Sequence, residues 1–419
     1  MNRVKRRNIR FFVGIYMAFL ARAVLKLLKK NATQLPGKVA LFFCPDFLGR
    51  VGRPSKIIAV TGTNGKTTVC NLIIDILKDH KYKVLDNKLG SNTYGGIASS
   101  LLARCNLLGN VKEEIAVFEV DERSSKRIYS YIKPTYLVCT NLFRDSITRN
   151  AHTEFIVSKI KPYIPESTKL ILNADDLISG SIRENQECTY FGIGELETDV
   201  KECKNIVCDI RVCPKCKSKL EYNYLHYHHI GNSYCPNCDF KSSMANIIVT
   251  KIDFENKEIT IKEDKETYEY PTISSNLFNI YNMVSIITLL RELEFSHQDL
   301  QEAFEKAYIV NTRFTEEKIE DIEIITNMAK GHNPVACTRS MDYAANSSGN
   351  KAIILTLSDL HDEIDKSENM TWLYDIDFEF LNSESIKQIV IAGVRVYDIL
   401  LRLLMAGISE EKIVVSKRI

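Results

Sequence analysis

Lys56-Ile57-Ile58-Ala59-Val60-Thr61-Gly62-Thr63-Asn64-Gly65-Lys66-Thr67-Thr68, followed by the apolar spacing of Val69 to Leu77, decides the fold of this 419-residue chain. The apolar run reads as a buried strand, the glycines as a turn and the spaced apolar residues as a helix. Gly62 and Gly65 let the backbone aim its amides at a polyphosphate. Lys66 adds a point charge, and the Thr67 hydroxyl can bind Mg²⁺. A helix starting at Thr67 would add its dipole. The residue four before Asn64 is Val60 and not Gly, so the spacing departs from the common Walker pattern. Its place between strand and helix nevertheless reads as a nucleotide site. An exposed loop is expected here, so that Lys66→Ala would remove charge but no packing.

Working outward, Ile115 to Val120, Tyr136 to Thr140 and Leu170 to Asn173 are further apolar runs alternating with helix-like stretches. That texture predicts an α/β fold around a parallel sheet covered on both faces. Val249 to Ile261 alternates like paired strands around Glu255-Asn256-Lys257, and Asn279 to Leu293 has helical spacing. Beyond Arg313, the runs Ile322 to Ile325, Ala352 to Leu357 and Gln388 to Ala392 suggest strands between helices. The expected division is a helical leader over 1–50, a central ATP-binding domain over 51–310 and a smaller C-terminal α/β domain over 311–419.

The sequence is 45% hydrophobic and 26% charged, with a formal charge of +2, so it has no broad field to steer nucleic acid. Phe11 to Leu28 is apolar but interrupted by Arg22 and preceded by Arg3, Lys5, Arg6, Arg7 and Arg10. It reads first as a basic amphipathic helix packed on its own protein, and second as a helix resting on an anionic membrane leaflet. Twelve cysteines without a cleavable leader fit a reducing, cytoplasmic compartment.

From about 203 to 246 long apolar runs disappear. Cys213-Pro214-Lys215-Cys216 and Cys235-Pro236-Asn237-Cys238 are two Cys-x-x-Cys knuckles eighteen residues apart, the spacing of a structural Cys₄ zinc ribbon. Redox pairs are the competing reading. His226, His228 and His229 are then surface or packing residues. A closed thiolate shell leaves no open position for chemistry, and zinc would replace a missing core.

The octet Thr61 to Thr68 resembles the phosphate loop of the Mur and folylpolyglutamate ligases. Gly90-Ser91-Asn92 looks like that family's second nucleotide loop, with Asn92 near the nucleotide. Glu119 in Phe118-Glu119-Val120-Asp121-Glu122 resembles its Mg²⁺-associated glutamate. Asn173-Ala174-Asp175-Asp176 matches a family signature, and Asn279 to Asn282 matches the helix start whose first asparagine reads adenine. One departure is plain: the Asp-His of peptide-adding ligases is absent, since Asn141-Leu142-Phe143-Arg144-Asp145 is followed by Ser146. The ribbon, with Leu35-Pro36-Gly37-Lys38, Tyr224 to His228 and Thr371 to Glu379, narrows the resemblance to the MurT family, which it covers nearly end to end but stops short of the usual C-terminal end.

That resemblance implies a ligase subunit of a lipid II isoglutaminyl synthase, working with a GatD-like glutamine amidotransferase and using ATP, Mg²⁺ and Zn²⁺. Gly62 to Thr68, Asn92, Asn279 and Arg313 would hold the nucleotide, Thr67 and Glu119 the Mg²⁺, and Lys66 with Glu119 would support phosphoryl transfer. Asn369 falls where the family carries the aspartate of the partner's catalytic triad, and nearby Asp365 is the alternative. An amino-acid-adding Mur or folylpolyglutamate-type ligase, a zinc-ribbon nucleotide-binding protein without catalysis, and an inactive subunit are the rival readings.

Overall fold

The computed structural model describes all residues except 1–3, 89–90, 146–151, 184–185, 273, 275, 308–313, 330–332, 358–369 and 417–419. The chain divides into two compact units. The first spans residues 1–142, 154–202 and 210–309. The second gathers 143–153, 203–209 and 310–419.

The first unit is built on a nine-stranded sheet. Its strands are β1 (Lys56–Thr61), β2 (Val84–Asp86), β3 (Ile115–Glu119), β4 (Tyr136–Cys139), β5 (Lys169–Asn173), β6 (Cys188–Ile193), β9 (Ile247–Asp253), β10 (Glu258–Glu263) and β11 (Glu266–Pro271). They lie in the order β2-β3-β1-β4-β5-β6-β9-β10-β11. Seven run parallel, and β10 and β11 extend the edge antiparallel. The central strands are near-continuous apolar runs because helices cover both faces. From β1 the chain first builds outward through β2 and β3, then crosses to β4 on the other side. The strand order thus reverses at β1, where open α/β sheets bind ligands beyond their carboxyl ends.

Helices α1 (Ile9–Leu27), α2 (Leu35–Phe43), α3 (Lys66–Asp79), α4 (Tyr94–Arg104), α5 (Leu277–Glu292) and α6 (His297–Lys306) belong to this unit. α3 starts one residue earlier than expected, with left-handed Gly65 as its N-cap. Phe11, Ile15 and Ala18 of α1 join Ala40, Cys44 and Phe47 in the main core, so the first reading of the leader, packed on its own protein, holds for that face. No helix among the described residues is long and apolar enough to cross a membrane. An antiparallel hairpin, β7 (Glu221–Tyr227) and β8 (Ile230–Tyr234), stands apart from the sheet within the cysteine-rich stretch.

In the second unit β14 (Lys351–Leu357), β15 (Ile386–Gly393) and β16 (Ile413–Ser416) form a parallel sheet. Its core contains Trp372, Leu373, Phe378, Ile389, Ile391 and Leu403. α7 (Pro334–Asn346) and α8 (Val396–Met405) complete the α/β pattern. The run at Ile322 does not join that sheet. It forms β13 (Ile322–Asn327), which among the described residues pairs only with β12 (Phe314–Ile319) across a two-residue turn whose Glu320 takes a φ of 54°.

Candidate functional site

The phosphate loop leaves the carboxyl end of β1 in a shape only glycine allows at two points. Gly62 has φ of 130° and Gly65 of 85°. A Cβ on Gly62 would collide with Thr140 Oγ1, and one on Gly65 with Asn282 Oδ1. The residues after β4 set the loop's form. Thr63 N–H donates to the Asn141 carbonyl (2.8 Å) and Asn64 N–H to Asn141 Oδ1 (3.0 Å). The Asn64 carbonyl accepts from Thr140 Oγ1 (2.5 Å) and Asn141 Nδ2 (3.2 Å). These bonds spend the Thr63 and Asn64 amides on fixing the loop's path, which leaves the first amides of the helix that starts at Lys66 as the donors for phosphate.

Lys66 does not lie on an exposed loop, contrary to expectation. Its side chain is 9% exposed, and Nζ sits 2.9 Å from Glu122 Oε1 while donating to the Gly62 carbonyl. Burial alone would push its pKa down, but the Glu122 carboxylate outweighs this and holds it above the ordinary lysine value. The polar, Gly-rich pattern hides this burial, which arises from the turn after β3 packing onto the loop.

Glu119 ends β3, where its carboxylate accepts from Thr67 Oγ1 (2.8 Å) and Asn92 Nδ2 (3.0 Å). Asn87 clamps its backbone on both sides, accepting from Glu119 N–H and donating to its carbonyl, each at 2.9 Å. These side chains line a cleft of about 260 Å³ beside the loop. A hydroxyl and a carboxylate oxygen converging at a phosphate cradle are hard oxygen ligands of the kind Mg²⁺ takes, so the donor set fits the metal. Lys66, Thr67, Glu119 and Asn92 thus come together. Thr63 is buried and Thr68 half-buried at the start of α3. Asn279 stands one residue further back: its Oδ1 accepts from Asn282 Nδ2 (3.3 Å), and Asn282 is the side chain against Gly65. Arg313, Asp365 and Asn369 lie outside the described residues.

Sequence reasoning missed Glu122 and Asn87, and it gave no role to the paired aspartates. Asp175 Oδ2 accepts from Ile193 N–H and from the Tyr281 hydroxyl, both at 2.8 Å, and burial raises its pKa. Asp176 Oδ2 accepts from Leu142 N–H (2.8 Å), and its other oxygen lies 3.3 Å from His229 Nε2. The Asn-Ala-Asp-Asp signature is a buried polar knot joining β5 to its neighbours and to the β7–β8 hairpin.

All four cysteine Sγ atoms lie within 4.8 Å of one another. Cys213 and Cys238 are 3.6 Å apart, Cys216 and Cys235 3.3 Å. A tetrahedron with Zn–S bonds of about 2.3 Å has edges of roughly 3.8 Å. The four thiols thus form one cluster, and its shortest contacts run between the two knuckles and not within either Cys-x-x-Cys pair. Ser218 hydrogen bonds lower the Cys216 pKa to about 6; a Phe240 backbone hydrogen bond lowers that of Cys238, but burial and the neighbouring thiols outweigh it and raise it to about 12. Few apolar residues surround the cluster: Leu177 and Leu220 are the buried ones grouped with Cys213 and Cys235. His226, His228 and His229 are packing residues, not surface ones. His226 Nδ1 is 2.7 Å from Asp199; burial lowers its pKa, but the Asp199 carboxylate more than offsets this and leaves it raised.

Comparison with known proteins places this geometry. The MurT ligase C-terminal model matches residues 331–419 and the Mur ligase middle domain model residues 60–234. The lipid II isoglutaminyl synthase (glutamine-hydrolyzing) subunit MurT of Staphylococcus aureus strain COL is 31% identical over 98% of this chain and 91% of its own length. Its Streptococcus pneumoniae R6 counterpart is 32% identical over 97% and 89%. A pseudomurein peptide ligase type C from Methanothermus fervidus shares the fold, with a TM-score of 0.65 at 21% identity, covering 89% of this chain and 70% of that one. On the strength of the near full-length MurT relatives and the two family models, this chain belongs to the MurT family of Mur ligases.

Proposed function

We propose that this chain is the ATP-dependent ligase subunit of a lipid II isoglutaminyl synthase, amidating the α-carboxylate of D-glutamate in the peptidoglycan stem peptide at the cytoplasmic face of the membrane. One observation carries the reading: Lys66, Thr67, Glu119 and Asn92 converge on a preformed phosphate cradle in a chain whose near full-length relatives are MurT subunits. In this reading residues 51–310 hold the nucleotide, with Gly62 to Thr68, Asn92, Asn279 and Arg313 around it, and residues 311–419 face the partner. Thr67 and Glu119 hold Mg²⁺, which neutralises phosphate charge.

The chemistry runs in two displacements. An oxygen of the acceptor carboxylate attacks the terminal phosphorus of ATP, and ADP leaves. Ammonia then attacks the acyl phosphate carbon, inorganic phosphate leaves, and a proton from the nitrogen goes to solvent. Lys66 offers the developing phosphate charge an ammonium whose place is already fixed, so little reorganisation is needed in the transition state. A GatD-like glutamine amidotransferase supplies the ammonia. Asp365 or Asn369 orients the histidine of its Cys-His pair, as the third group of a triad does. Cys213, Cys216, Cys235 and Cys238 bind a structural Zn²⁺.

The test uses the complex with its glutaminase partner. ATP turnover should depend on lipid II and yield one amidated product per ADP. Either Asp365→Ala or Asn369→Ala should lower glutaminase activity. Turnover indifferent to lipid II refutes the assignment. Unchanged glutaminase activity in both variants removes this chain from the triad alone.

A further inference from the structure

The outer face of α1 is left uncovered. Ile9, Val13, Tyr16, Met17, Leu20, Val24 and Leu27 recur at helical spacing along its whole length, and all are exposed. Ile9 and Leu27, at the two ends, are 82% exposed. The opposite face, through Phe11, Gly14, Ile15 and Ala18, is buried. A helix apolar on both faces normally lies inside a protein or a membrane, yet here one face has no cover within the described residues. The stripe is also held firmly in place. Arg7 donates to the carbonyls of Arg50 (3.2 Å) and Gly109 (3.0 Å), Arg22 to that of Ala103 (3.3 Å), and Arg50 to that of Arg6. The Arg7 contact sets the 106–110 loop, with exposed Leu107 and Leu108, against the amino end of the helix.

Charge identifies what covers this face. Ten of the chain's 55 basic residues, and none of its 53 acidic ones, precede Asp46. Arg6 and Arg10 flank the stripe at one end, and Lys26, Lys29 and Lys30 at the other, all exposed. A protein partner of balanced charge would leave such a concentration uncompensated. We propose that α1 docks on an anionic phospholipid bilayer, lying in the plane of the interface with its outer stripe among the acyl chains and its flanking cations at the headgroups. The stripe runs about 28 Å, too interrupted to span and long enough to lie flat. The inference rests on the proposed lipid-linked acceptor, because docking would bring the ATP cleft to that substrate.

Flotation with vesicles of phosphatidylglycerol and phosphatidylcholine, against phosphatidylcholine alone, tests it on the complex with the glutaminase partner. Wild type should bind the anionic vesicles and lose most binding at high salt, since each Lys or Arg near such a surface contributes about fivefold. Met17→Glu with Leu20→Glu should weaken binding at least about tenfold with no change in Tm, both side chains being exposed. Amidation of vesicle-embedded lipid II should fall in that variant, while amidation of a water-soluble short-chain analogue should not. Wild type failing to float, the variant floating equally, or a solution dimer that the variant dissolves would each overturn the proposal. Failure of wild type on the soluble analogue would instead overturn the activity reading and leave the flotation result standing.

Discussion

The phosphate cleft and the cysteine ribbon sit in the same unit but are stabilised by opposite means. The cleft stands on a nine-stranded sheet with an extensive apolar core, and its polar side chains hold one another: Lys66 with Glu122, Glu119 with Asn87, the loop with Asn141. Its shape precedes its ligand. Around the four cysteines the apolar packing is thin, with Leu177 and Leu220 buried and Ile210 and Phe240 partly so, while the adjoining hairpin buries Leu225, Tyr227 and Ile230. The ribbon's shape depends on whatever draws four thiolates together. Under the proposed function, this contrast would let one region bind and release a nucleotide every cycle while the other keeps its ion.

The largest effect should come from breaking the ribbon's side of this contrast. Structural zinc supplies about 10 kcal/mol or more of apparent binding energy in small domains. Elemental analysis should find one zinc per chain, and Cys213→Ser with Cys216→Ser should open residues 203–246 to protease. Protein purified without chelator that holds no zinc, or a double variant as resistant as wild type, would equalise the two regions.

A smaller effect is expected at Lys66. Lys66→Ala should cut amidation by about 10²–10³-fold, as loss of one preorganised donor does, and also cost about 3–5 kcal/mol by leaving Glu122 buried and unpaired. Adding Glu122→Gln should restore most of the stability and none of the rate. Denaturant midpoints and ATP turnover separate the two, and a single variant as stable as wild type would mean the pair does not hold the cleft.

The smallest concerns the joint between hairpin and core. The raised folded pKa of His226 gives stability that is fully present below about 6.5, its unfolded value, and lost as pH rises through the folded value. Asp199→Asn removes the carboxylate that raises it. The variant's Tm should therefore fall less than that of wild type between pH 6 and 8, and parallel slopes would show that the histidine stays neutral.

Much of this architecture is legible in the chain, because period and punctuation agree: an apolar run, glycines and helical spacing place β1, the loop and α3, and two knuckles place the ribbon. What escapes is burial imposed from a distance. Nothing in Glu119-Val120-Asp121-Glu122 separates the solvent-facing acid from the one under Lys66, because the turn after β3 makes that choice. Three histidines within four residues, His226, His228 and His229, fit surface as well as interior until Asp176 and Asp199 are seen beside His229 and His226. The alternation of Phe314 to Asn327 suits a hairpin as well as a sheet strand, and the tight turn at Glu320 decides it.

The second unit is not a colinear tail. Arg144 pairs with Asp209 at 2.5 Å, and Asp377 accepts from Ile206 N–H at 2.7 Å and Asn205 Nδ2 at 3.2 Å, so two segments from far earlier in the chain are stitched into it. A fragment begun at residue 310 would leave Asp377, 3% exposed, with no donor from 205–206. Grafting this unit between relatives would need five matched junctions instead of one, and its sequence can drift only in step with two short stretches more than a hundred residues upstream.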